Sequence, residues 1–131
     1  MPSDTRRTDR VSTAVVMANG VETTYRRCGS GRTVLLLGAS EAVALALGAS
    51  FRVIVPEVPF GFPDAATAGW LGGVCDGLGI AEAAIVATPA LRDAASQFAQ
   101  EAPDRVKGVI IADSSAPDLA GLRAAVERSF S

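Results

Sequence analysis

A chain of 131 residues is the size of one domain, and with 49% apolar and 20% charged residues it has the material for a core rather than the composition of a disordered polymer. It contains no histidine, which removes imidazole acid/base chemistry, His-ligated metal sites and every Ser-His-Asp or Cys-His arrangement made within the chain. Twelve basic residues against fourteen acidic ones lack the excess that neutralising a phosphate backbone needs, so nucleic acid is not an expected partner.

The first ten residues carry Arg6, Arg7 and Arg10 interleaved with Asp4 and Asp9, and read as a flexible, solvated arm (1–10) ahead of a single domain (11–131). There is no apolar stretch of the kind a secretory leader uses, so the expected location is the cytoplasm. Ser12 to Ala18 is valine-rich and ends at Asn19-Gly20, the dipeptide that suits a type I′ turn, with Val21 to Arg27 as the return strand of a hairpin. Cys28-Gly29-Ser30-Gly31 is a second turn; it precedes a strand instead of following one, so its glycines do not form a dinucleotide-binding loop.

Thr33 to Leu37 is a continuous apolar run, as in a parallel strand covered on both faces, and Ala42 to Leu47 follows as a short helix. The stretch Thr33–Phe51 is long enough to span a bilayer, but Glu41 at its centre and the breaks at Gly38, Ser40, Gly48 and Ser50 favour strand plus helix over a membrane span. Phe51 to Val55 is another buried strand, expected to stop at Pro56, where prolines at 56 and 59 oppose regular pairing. Thr67 to Leu78 has helical spacing around Trp70, Leu71, Val74 and Leu78; Gly69, Gly72, Gly73 and Gly77 make it a weak helix in need of tertiary support, and Gly79 suits its C-cap. Glu82 to Ala87 is a third buried strand, Pro89 to Ala102 a helix with proline in its first turn, Val106 to Ala112 a fourth strand, and Asp118 to Phe130 an amphipathic helix. This order predicts the α/β class: an open, mostly parallel twisted sheet of about six strands, helices on both faces, and an N-terminal antiparallel hairpin. Cys28 and Cys75 are far apart and fit no metal or redox spacing, so both are expected to be buried thiols, and no metal or other cofactor is expected.

Three strings, NGVETTYRRCGSG, VIVPEVPFGFPD and EAPDRVKGVIIADSS, resemble in content and order segments of the α/β-hydrolase family: the entry hairpin, the loop after the fourth strand, and the link into the sixth. The resemblance covers roughly residues 12 to 115 and implies the N-terminal half of that fold. It also exposes departures. The His-Gly of the family's oxyanion loop falls on Leu37-Gly38, and the nucleophile-elbow pentapeptide GxSxG on Ala87-Thr88-Pro89-Ala90-Leu91, which places Pro89 at the nucleophile. An elbow strains its nucleophile, commonly into an unfavourable φ that proline cannot adopt, so the expected structure is a relaxed strand-to-helix turn.

The other candidates have bland readings beside the functional ones. Thr88 at a helix start reads as an N-cap, Ser40 as a cap or hydrogen-bond partner, and Asp113 as a turn residue in Asp113-Ser114-Ser115. Glu57 and Asp113 at the C-terminal sheet edge admit paired-carboxylate chemistry, although nothing sets their separation. Gly38, Ser40, Glu57, Phe60, Phe62, Thr88, Pro89 and Asp113 are the candidates for a strand-end pocket. The last strand, with Lys107, Val109 and Ile111, leaves an apolar edge that either the final helix covers or a second copy pairs, the homodimer being preferred. The leading expectation is a non-catalytic domain acting through self-association or a protein partner. The alternatives are a small-molecule binding module and an unorthodox or split hydrolase.

Overall fold

A computed structural model describes residues 12–38, 41–59, 61–112 and 119–130, the side chains of 41, 42 and 119 excepted. Strands β1 (Ser12–Ala18) and β2 (Val21–Cys28) form the hairpin, with Ser12 opposite Arg27 and Ala18 opposite Val21. Asn19 and Gly20 take φ of 51° and 83°, the two positive values a type I′ turn demands. The chain continues through β3 (Thr33–Leu37), α1 (Glu41–Gly48), β4 (Arg52–Pro56), α2 (Asp64–Leu78), β5 (Ala83–Ala87), α3 (Arg92–Glu101), β6 (Val106–Ile111) and α4 (Leu119–Ser129). The sheet order is β1-β2-β4-β3-β5-β6, antiparallel in the first two pairings and parallel in the rest.

Burial on both faces explains why β5 is apolar at every position and β3 at every position after Thr33. Leu35, Leu37, Ile54 and Ile85 point to one face, against Trp70, Leu71 and Val74 of α2 and Phe98 of α3. Val34, Leu36, Val53 and Val86 point to the other, against Val43 and Leu47 of α1 and Leu122 and Val126 of α4. Each such side chain removed from water contributes about 1.5–3 kcal/mol, which is what holds the short strands together.

The glycines of α2 have a tertiary purpose. Gly69, Gly73 and Gly77 recur every fourth residue and so share one face of the helix. A Cβ on Gly73 would lie 2.8 Å from the Ala18 carbonyl carbon, and one on Gly77 would meet Met17 O at 3.1 Å. The stripe is the bed on which β1 lies. The Trp70 indole N–H, on the same helix, donates to Thr23 Oγ1 at 2.8 Å, and the Thr23 hydroxyl donates to the Val21 carbonyl at 3.1 Å.

Several boundaries differ from the sequence expectation. Pro56 does not end pairing: it is the last residue of β4, opposite Tyr25, while the Glu57 N–H donates to the Thr24 carbonyl at 2.9 Å. Proline is tolerated there because that position asks for no N–H toward β2. Helix α2 starts at Asp64, earlier than Thr67, with Pro63 before it and the Thr67 hydroxyl donating to the Pro63 carbonyl. The helix expected from Pro89 is a 3₁₀ turn, Pro89–Leu91, that leads into α3. Among the described residues, no helix is long and apolar enough to cross a membrane.

Strand β6 has β5 as its ladder partner and, among the described residues, none on its other side. Ala83 pairs with Val106 and Ala84 with Gly108, so Lys107 is the extra residue of a bulge. Helix α4 packs on one face of β6, where a Cβ on Gly108 would collide with the Ser129 side chain.

Candidate functional site

The C-terminal edge of the parallel strands is built by the ends of β3 and β5. Leu37 and Ala87 are paired, and the Thr88 N–H then donates to the Leu37 carbonyl at 3.2 Å, which sets Gly38 beside Thr88. Gly38 has φ 81°, and a Cβ there would lie 2.9 Å from Thr88 Oγ1 and 3.2 Å from Leu91 Cδ1. Backbone conformation and space therefore both require glycine at this position.

Thr88 has φ −72° and ψ 160°, ordinary extended backbone, and Pro89 stands in the first turn of the 3₁₀ segment. Among the described residues the one non-glycine with positive φ is Asn19, so neither Thr88 nor Pro89 is strained as an elbow nucleophile is. Thr88 occupies the N-cap position, but its hydroxyl makes no capping bond; the turn is closed instead by the Leu91 N–H on the Thr88 carbonyl at 2.9 Å. The expected side-chain cap is thus corrected. The 3₁₀ turn closes through its own backbone, and the Thr88 side chain lies over Gly38 instead.

Glu57 is exposed just past β4, and Phe62, 39% exposed, stands in the loop from β4 to α2. The Ala112 N–H donates to the Ala87 carbonyl at 2.8 Å, bringing the end of β6 to the same edge. Ser40, Phe60 and Asp113, named with these from the sequence, lie outside the described residues. Of the described strand-end candidates, Gly38 and Thr88 are brought into contact, with Pro89 next in the chain.

Cys28 and Cys75 are buried thiols in no disulfide, and Cys28 Sγ donates to the Ala44 carbonyl at 3.3 Å. Burial pushes the Cys75 thiol up to about 11, against the lowering effect of nearby Arg105. Arg105 is held to Asp76 at 2.6 Å, a bond that raises its own pKa. A thiol so protonated near neutrality is not a nucleophile. Among the described residues, no group of three or more Cys, Asp or Glu side chains is placed to hold a metal ion.

A cleft of about 520 Å³ opens at the opposite, N-terminal edge of the strands, lined by Gly31, Arg32, Ser50, Phe51, Glu127 and Phe130. Arg32 Nη1 donates to the Phe130 carbonyl at 2.7 Å, and its guanidinium stands 5.2 Å from the Phe130 ring centroid. The Phe51 ring lies 6.1 Å beyond. The sequence offered no signal for this clamp, because its members are separated by 98 positions.

No family model and no curated protein matches the chain. Solved structures do. The epoxide hydrolase CorEH is similar at a TM-score of 0.72 and 24% identity over 79% of this chain and 42% of that one. The epoxide hydrolase VrEH1 from Vigna radiata is similar at 0.71 and 17% identity over 90% and 47%, and the haloalkane dehalogenase DbeA-M1 from Bradyrhizobium elkanii at 0.67 and 22% over 79% and 40%. The chain thus spans less than half the length of the proteins it matches. Its six-stranded mixed sheet, with the antiparallel hairpin leading into parallel strands, has the α/β-hydrolase fold.

Proposed function

We propose that this chain is a non-catalytic α/β-hydrolase-like domain that acts through self-association. The observation that carries the reading is the Thr88–Pro89 turn: a relaxed extended residue followed by proline, at the place where the resemblance locates a strained serine. The neighbouring hydroxyl, that of Thr88, is set over Gly38, and this chain has no histidine to activate it. The outer strands β1 and β6, each with a ladder partner on one side alone among the described residues, support the second half of the reading, since soluble proteins rarely leave strand edges unmanaged.

Intact-mass analysis after exposure to a fluorophosphonate probe tests the first half. No adduct is expected on the folded chain, and a stoichiometric adduct on Thr88 or Ser40 overturns it. Light scattering over a dilution series tests the second half: a dimer is expected at micromolar concentration, and a monomer throughout overturns it.

A further inference from the structure

We infer that the surface of self-association is the free edge of β1, paired antiparallel with β1 of a second copy about a two-fold axis near Val15; this inference rests on the self-association reading. The two edges of the sheet are not equivalent. Strand β6 is guarded: Lys107 forms a bulge at its start, sits 3.5 Å from Glu82, and interrupts the ladder before Gly108. A bulge and a lysine are the usual devices against edge pairing.

Strand β1 has neither. Ser12–Ala18 reads STAVVMA, with no charge, proline or glycine, and its pairing with β2 runs through all seven residues without a register shift. Its inner residues Ala14, Val16 and Ala18 are seated on the α2 face of the sheet. Its outer residues Val15 and Met17 are 58% and 61% exposed, among the few large apolar side chains so open to solvent among the described residues. The strand is therefore regular in its pairing with β2 and, among the described residues, uncovered along its other edge.

The occupant is a second copy because the strand is complementary to itself. With Val15 on the two-fold axis, Val15 faces the partner's Val15, Thr13 faces the partner's Met17, and Ala14 faces the partner's Val16. No like charges meet in such a pairing, and each outer pair joins apolar or β-branched side chains suited to cross-strand contact. The assembly also closes: a two-fold β1 contact uses the same edge of both copies and β6 is guarded by its bulge and lysine, so pairing ends at two copies instead of growing into a filament.

The test uses the full chain and two variants, Val15→Lys and Val15→Glu, at a side chain exposed enough to leave the fold intact by circular dichroism. Light scattering is expected to give a dimer for the natural chain and a dissociation constant raised about tenfold or more for each variant alone. An equimolar mixture of the two variants is expected to restore the dimer, which a merely misfolded variant would not do. Amide exchange at high and low concentration is expected to slow in β1. A dimer indifferent to both variants, or one whose concentration-dependent protection falls on β6, overturns the assignment to β1 while leaving self-association intact. A monomer at every concentration overturns both.

Discussion

The buried indole N–H of Trp70 has a specific partner, the Thr23 hydroxyl, and that hydroxyl has one in turn, the Val21 carbonyl. Replacing Thr23 by the near-isosteric valine keeps the volume and leaves the indole donor unsatisfied, a cost of about 1–3 kcal/mol. The expected result is a lower urea midpoint for Thr23→Val with the m-value unchanged, and near-natural stability for Thr23→Ser. Cys75 makes a pH prediction. Its thiol is raised to about 11 in the folded chain from 9.0, so the unfolded chain loses this proton first as pH rises. The folded state then binds more protons than the unfolded one across that interval, and stability falls as pH rises from about 9 to about 11. Comparing Cys75→Ala with the natural chain isolates the contribution: the difference between their urea midpoints should change across that window and be constant below it. In native buffer near neutrality the Cys75 thiol is expected to resist thiol reagents.

Helix α2 separates two kinds of glycine that look alike in sequence. Gly72 faces Phe98, where a new methyl would find ordinary contact at 3.7 Å, whereas one on Gly73 would run into the backbone of Ala18 and Asn19. Alanine gains about 1 kcal/mol over glycine in a helix interior at either site. At Gly72 that gain should survive and stabilise the protein. At Gly73 the hairpin must move away, and overpacking of about 1–3 kcal/mol outweighs the gain. Opposite shifts in thermal midpoint for Gly72→Ala and Gly73→Ala are the expected outcome; equal shifts would mean the helix and hairpin are not in the contact described. The glycine count suggested a weak helix, and only the packing of β1 onto the stripe reveals why the weakness is kept.

For the whole molecule, the decisive contrast lies between the two edges of the sheet. If the Lys107 bulge is what keeps β6 from pairing beside the proposed β1 contact, Lys107→Val should open the second edge, and light scattering should detect species larger than a dimer. A chain whose size distribution is unaltered by that change would show that β6 is protected by something other than its lysine. At the opposite end of the core, the Arg32 clamp on Phe130 ties α4 to the start of β3. The last turn of that helix should accordingly exchange its amides faster in Arg32→Ala, with little change in β3.

Much of the architecture was legible in the chain because it depends on local rules. Asn19-Gly20 specifies a turn by its tolerance of positive φ, and the apolar runs at 33–37 and 83–87 announce strands covered on both faces. The absence of histidine likewise states that this chain supplies no imidazole of its own, since that depends on residue identity alone. Other features needed the third dimension. Pro56 can stay in a ladder only because its missing N–H faces away from β2, and Thr88 leaves its cap unmade because the paired ends of β3 and β5 set its side chain over Gly38. Arg32 and Phe130 meet across 98 positions because α4 returns to the start of the sheet. Turns and strands are decided by the preferences of a few adjacent residues, whereas contacts between distant residues depend on how whole elements pack, and no local pattern encodes that.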